Sequence, residues 1–227
     1  TSMAKRIASE TPNAVLANQF YNQVNPQAHY ETTGPELWEQ SEGKITHFVA
    51  GAGTGGTITG VARYLKEMNP KVQIVGADPV GSILAETWRS GGASKPAGAP
   101  YKVEGIGQDK IPGTLDLSLI DEFQSVSDRD AFAMARRLTR EEGLFVGGSA
   151  GLIAHAALSV ARRINDPAAF VVTVLCDTGE RYLSKVFNDE WMRDNSMLEE
   201  TSPLGTVREL LAARAPHNLI SARRNDK

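Results

Sequence analysis

Ten residues, Gly51-Ala52-Gly53-Thr54-Gly55-Gly56-Thr57-Ile58-Thr59-Gly60, hold five glycines and follow the apolar stretch Ile45-Thr46-His47-Phe48-Val49-Ala50. A glycine-dense turn between a strand and a helix is suited to anions. Without β-carbons the backbone folds tightly, and its N–H groups converge on a phosphate at the positive end of the following helix. Thr54 and Thr57 add hydroxyl donors. The spacing Gly51-x-Gly53-x-x-Gly56 also satisfies the dinucleotide fingerprint, with Asp78 about twenty residues on where a ribose-binding acid would sit. Two chemistries therefore compete: a nicotinamide or flavin dinucleotide, and a single phosphate such as that of pyridoxal phosphate.

The elements that must position this turn alternate in type from residue 45 to about 192. Ile58, Val61, Ala62, Leu65 and Met68 share one helical face, which Asn69-Pro70 ends. A strand is expected from Val72 to Ala77, a surface loop over residues 89 to 100, and a short strand over Phe123–Val126. Ser127 can cap a helix in which Ala131, Met134, Ala135 and Leu138 form a stripe ended by Gly143. A second glycine turn, Gly147-Gly148-Ser149-Ala150-Gly151, opens a helix that buries Leu152, Ala156, Val160 and Ile164. Ala169 to Leu175 is apolar enough for a strand covered on both faces. This α/β alternation predicts a mainly parallel twisted sheet with helices on both faces and ligands at the carboxyl ends of its strands. Both glycine turns and Cys176-Asp177-Thr178-Gly179 fall on that edge and are expected to line one pocket.

Composition narrows the partners. With 227 residues, 41% of them hydrophobic, the chain can bury a large core. A net charge of −3 offers no electrostatic case for nucleic acid, and no apolar run approaches a membrane span. A cytoplasmic location is the expectation. The single cysteine excludes an internal disulfide, and the four histidines show no ligand spacing, so no metal site is expected.

Taken together, Gly53-Thr54-Gly55-Gly56-Thr57, Glu104-Gly105-Ile106-Gly107 and Gly147-Gly148-Ser149-Ala150-Gly151 resemble the pyridoxal-phosphate enzymes of the cysteine synthase and cystathionine β-synthase family. Asn25-Pro26-x-Ala28-His29-Tyr30-x-Thr32-Thr33 and Gly179-Glu180-Arg181-Tyr182-Leu183-Ser184 are similar to family segments as well. The resemblance runs from about residue 5 to Met192 and implies the fold of type II pyridoxal-phosphate enzymes. It assigns Gly53, Thr54, Gly55, Gly56 and Thr57 to the phosphate of pyridoxal 5′-phosphate, and Ser149 to the pyridine nitrogen. Glu104, Gly105, Ile106 and Gly107 become the substrate loop, expected to close on its ligand. A neutral hydroxyl cannot hold the ring nitrogen protonated as a carboxylate does, which suits β-replacement better than transamination.

The implied reaction removes the α-proton and β-substituent of an amino acid and adds a thiol in its place. Glu104, Asp109 and Phe187-Asn188-Asp189-Glu190-Trp191-Met192 resemble the cystathionine β-synthase form, which implies serine plus homocysteine; Thr32-Thr33-Gly34-Pro35-Glu36 and Gly179-Glu180-Arg181-Tyr182 are similar to cysteine synthases, which implies O-acetylserine plus sulfide. The first pair is preferred, with small amino-acid and thiol substrates as partners and a homodimer as the assembly. Against the family pattern, Gln108 stands where cystathionine β-synthases often carry tyrosine, and Cys176 where proline is usual; at a strand end beside the implied ring it is either a pocket wall or a redox-sensitive thiol, or, as the plainest account, a buried structural cysteine. No lysine matches the family's imine lysine, which comes from an N-terminal region; the chain is expected to be part of a longer enzyme and inactive alone. By domain, residues 1 to 44 read as the remainder of an N-terminal subdomain and 45 to 192 as the large cofactor subdomain. Residues 193 to 205 read as a linker, and 206 to 227 as the possible opening of a regulatory module or a plain terminal helix.

Overall fold

The computed structural model describes residues 2 to 94 and 96 to 198, so the expected linker beyond 198 and the segment 206 to 227 lie outside the described residues. Four strands, β1 (His47–Gly51), β2 (Gln73–Pro79), β3 (Glu122–Val126) and β4 (Val171–Thr173), form a parallel sheet in the order β3-β2-β1-β4. His47 lies opposite Gln73 on one side and Val171 on the other, while Val75 pairs with Glu122. All four carboxyl ends therefore share one edge, where residues leaving the strands can meet.

Eight α-helices accompany the sheet among the described residues: α1 (Ser2–Glu10), α2 (Val24–Glu31), α3 (Thr33–Gln40), α4 (Gly56–Met68), α5 (Leu84–Arg89), α6 (Asp128–Glu142), α7 (Gly148–Ile164) and α8 (Asp189–Asp194). Alternation along the strands divides the core. Phe48, Ala50 and Ile74 pack with Ile58, Val61 and Leu65 of α4. Val49, Val75 and Ala77 pack with α6 and α7 on the opposite face. Successive strand side chains point to opposite faces, so an apolar run in β1 is what a sheet covered on both sides requires.

Helix boundaries follow local chemistry. The Ser127 hydroxyl accepts the Asp130 N–H at the start of α6, and Gly143 ends it at φ +70°. Asn69 in extended conformation stops α4 before Pro70. Gly151 lets α7 approach α6 closely, since a β-carbon there would sit 2.7 Å from Ala135 N.

Three sequence expectations need correction. β2 runs from Gln73 to Pro79 because β3 pairs as far as Pro79 with Val126, leaving Val72 buried just outside the strand. β4 is confined to Val171–Thr173, since its ladder with β1 ends where Thr173 meets Val49. Met68, in the last turn of α4, is about half exposed, so the buried stripe ends at Leu65. No described helix is long and apolar enough to cross a membrane.

Candidate functional site

The carboxyl edge of the sheet opens into a cleft of about 870 Å³. That volume suits a small ligand. Its floor is the turn from β1 into α4. Gly55 sits at φ +85°, a region that only glycine occupies without cost, and a β-carbon on Gly53 would lie 2.5 Å from the Gly105 carbonyl oxygen. Neighbours hold the turn: Thr114 Oγ1 donates to Thr54 O at 2.6 Å, and Asn25 Nδ2 donates to Thr54 Oγ1 at 3.0 Å. Among the described residues, the backbone N–H groups of Gly53, Thr54, Gly55 and Thr57 find no backbone acceptor. A rigid cluster of free donors at a helix start fits a phosphate.

The cradle continues through α2. His29 Nε2 lies 3.1 Å from Thr57 Oγ1, and its Nδ1 lies 2.9 Å from Thr33 Oγ1. Burial lowers the pKa of His29, so the ring is neutral near pH 7, one nitrogen donating and the other accepting. His29 and Thr33 both line the cleft. Both belong to the segment Asn25–Thr33, to which the resemblance assigns no role; the sequence signal for them is a histidine in α2 four residues before the threonine that opens α3, ahead of the glycine turn.

The loop Gly105–Gly107 forms the opposite wall, with Gly105 at φ +80° and Gly107 at φ +77°. Gly107 N–H donates to Ala52 O at 2.9 Å, while Gln108 N–H donates to Ser82 Oγ at 3.0 Å. The loop is thus tied to the glycine turn and to the segment after β2. Glu104 points elsewhere: its half-exposed carboxylate pairs with Lys185, and it does not line the cleft. Gly56 lies in the first turn of α4, its α-carbon packed against the Asn25 side chain, and is also outside the lining.

Ser149, in the first turn of α7, is 6% exposed and lines the cleft. It is not the helix cap, since Gly147 holds that position. Its hydroxyl lies 3.4 Å from Cys176 Sγ. Cys176 is exposed and lines the same cleft, which corrects the expectation of a buried structural cysteine. Its surroundings still desolvate the thiol and raise its pKa, aided by the Asp177 carboxylate. Asp177 accepts the Tyr182 O–H at 2.6 Å; burial first, and this bond second, push the phenol pKa up.

These residues fit pyridoxal phosphate: free donors and a threonine hydroxyl for the phosphate, a buried serine for the ring, and a backbone loop for an amino acid. They do not fit a dinucleotide. Asp78 is 1% exposed, accepts the Ala85 N–H at 3.0 Å and stands outside the cleft, so it offers no ribose contact. No lysine lines the cleft among the described residues; Lys66 pairs with Asp121, Lys44 with Glu42 and Lys185 with Glu104. Lys95 and Lys227 lie outside them.

A parallel α/β sheet with a phosphate cradle and a facing serine on its carboxyl edge defines the class of fold-type II cofactor domains. The family model for pyridoxal-phosphate dependent enzymes matches residues 1 to 177, and the chain belongs to that family, whose cofactor is pyridoxal 5′-phosphate. It is 45% identical over 197 residues to cystathionine beta-synthase of Dictyostelium discoideum, covering 87% of this chain and 39% of the relative. Identity to cystathionine beta-synthase of Oryctolagus cuniculus is 45% over 198 residues, covering 87% and 35%. That of Saccharomyces cerevisiae is 41% identical over 208 residues, covering 87% and 40%. The chain thus spans 35% to 40% of the length of these relatives.

Proposed function

We propose that the cleft binds pyridoxal 5′-phosphate with its phosphate on Gly53–Thr57 and its ring nitrogen at Ser149, and serves β-replacement on serine by the thiol of homocysteine. The observation that carries this reading is the convergence of the glycine turn, the Gly105–Gly107 loop and Ser149 on one cleft. When bound, pyridoxal phosphate supplies an electron sink that eases loss of an amino acid's α-proton. Ser149, a neutral hydroxyl, offers the ring a hydrogen bond without fixing a proton on it. The backbone N–H groups of Gly105 and Ile106, without an acceptor among the described residues, offer donors for a carboxylate, while Gly107 N–H is held by Ala52 O; Val103 and the Ile106 side chain exclude water beside them.

Similarity to the cystathionine beta-synthases supports serine and homocysteine. Thr32–Glu36, similar to the cysteine synthases, supports O-acetylserine and sulfide as the second reading. A homodimer belongs to the same proposal. Because no described lysine lines the cleft, the chain is proposed to bind cofactor without turning over on its own.

The single thiol provides the test. Cys176 should react with an aromatic disulfide reagent, and saturating pyridoxal phosphate should slow that reaction at least tenfold, whereas NAD should not. An unchanged rate with pyridoxal phosphate, or protection by NAD alone, overturns the cofactor assignment. Formation of cystathionine from serine and homocysteine by this chain would overturn the proposal of inactivity.

A further inference from the structure

Ser149 Oγ and Cys176 Sγ are 3.4 Å apart on the cleft wall, and Cys176 is the only hydrogen-bond partner of that hydroxyl among the described residues. A hydroxyl has one proton to give and can accept; a thiol has one weakly donated proton. Two arrangements exist. If Ser149 gives its proton to sulfur, none remains for a ligand. If the thiol gives its proton to Ser149 Oγ, the serine keeps its own for a group in the cleft.

We propose that Cys176 is a positioning residue whose S–H donates to Ser149 Oγ and so directs the serine hydroxyl, as a donor, toward a pyridine nitrogen in the cleft. The inference rests on the reading that places the cofactor ring at Ser149. Geometry supports it: both groups line one cavity, and Ser149, buried in the first turn of α7, has little freedom to reach elsewhere. The electrostatic surroundings support it too. Asp177 adjoins the thiol and Tyr182 faces it, the phenol itself bonded to Asp177; Glu104, beyond Tyr182, is paired with Lys185. None of these supplies a positive charge directly to the sulfur, so the thiol keeps its proton at neutral pH.

Pyridoxine 5′-phosphate is the probe, because it carries the ring and phosphate but no aldehyde and so needs no lysine. Its absorption band responds to hydrogen bonding and protonation at the ring nitrogen. The 227-residue chain is compared with Cys176→Ser and Cys176→Ala. The bound spectrum should be retained by Cys176→Ser, which keeps a donor, and altered in Cys176→Ala, with roughly three- to tenfold weaker binding in the latter. Raising the pH until the thiol ionises should change the bound spectrum of the wild-type chain more than that of Cys176→Ser, since a thiolate can only accept and draws the hydrogen bond of the serine hydroxyl away from the ring. Identical spectra and affinities in all three proteins, with pyridoxine 5′-phosphate bound to each and Cys176 of the wild-type chain shielded from the disulfide reagent, overturn this inference alone. Failure of the probe to bind the wild-type chain overturns both the inference and the reading beneath it.

Discussion

Asp78 is the most heavily buried carboxylate in the sheet, and replacing it with asparagine should change how stability depends on pH. The side chain, in β2, is 1% exposed; Oδ2 accepts the Ala85 N–H and Oδ1 has no hydrogen-bond partner among the described residues. Burial raises its pKa from 3.8 to about 6, against smaller lowering effects from the Ala85 N–H, Ser82 and Arg89. The folded state thus prefers the protonated acid. The stabilisation is complete below about pH 4 and is lost as pH rises through about 6. A displacement of roughly two pH units corresponds to about 3 kcal/mol. In Asp78→Asn the amide oxygen can still accept the Ala85 N–H, and nothing titrates. Urea unfolding of both proteins from about pH 4 to about pH 8 isolates this group, because the other titrations cancel in the difference. Relative to wild type, Asp78→Asn should gain about 3 kcal/mol, the change setting in near pH 4, passing its midpoint near about pH 5 and levelling off above about pH 6. A difference that stays flat between about pH 4 and about pH 6 would refute the reasoning.

Two glycine substitutions probe the cleft and the layer behind it. Gly53→Ala places a β-carbon 2.5 Å from the Gly105 carbonyl oxygen, a backbone atom that can move only with its loop; pyridoxal phosphate affinity, read from Cys176 protection, should fall at least tenfold. Gly151→Ala gains about 1 kcal/mol of helix propensity but forces a β-carbon onto Ala131 O and Ala135 N of α6, so urea unfolding should show a net loss of about 2 kcal/mol. A stabilised variant would mean that α6 and α7 are not in such close contact.

The strands and helices around the cleft were readable because their signals are local. Ser127, Gly143 and Asn69-Pro70 punctuate helices within a few residues of sequence, and alternating burial follows from the run in β1. The shared edge followed from the parallel topology. Contacts between distant segments were not readable. The spacing of His29 and Thr33 marks a local pair, but it does not tell that the ring's other nitrogen will stand against Thr57, twenty-eight residues on. Glu104 had the sequence of a substrate-loop residue, yet Lys185, eighty-one residues away, takes its carboxylate. The place of Cys176 at the pocket edge is legible from the parallel topology, but its exposure is not: that depends on the ladder with β1 stopping at Thr173, after which the chain emerges into the cleft. Strand ends are decided by the partner strand, and a partner is invisible in a single segment.

The cleft has no wall of its own. Its lining comes from residues as far apart as Gln19 and Cys176, so it exists only when both faces of the sheet are in place. Binding and folding are consequently one thermodynamic reaction: a ligand at a hundred times its dissociation constant stabilises the whole domain by about 2.7 kcal/mol. Amides in the α6–α7 layer, which touch no ligand, should therefore exchange more slowly wherever exchange requires global opening, making the far side of the molecule a sensor of occupancy on the near side.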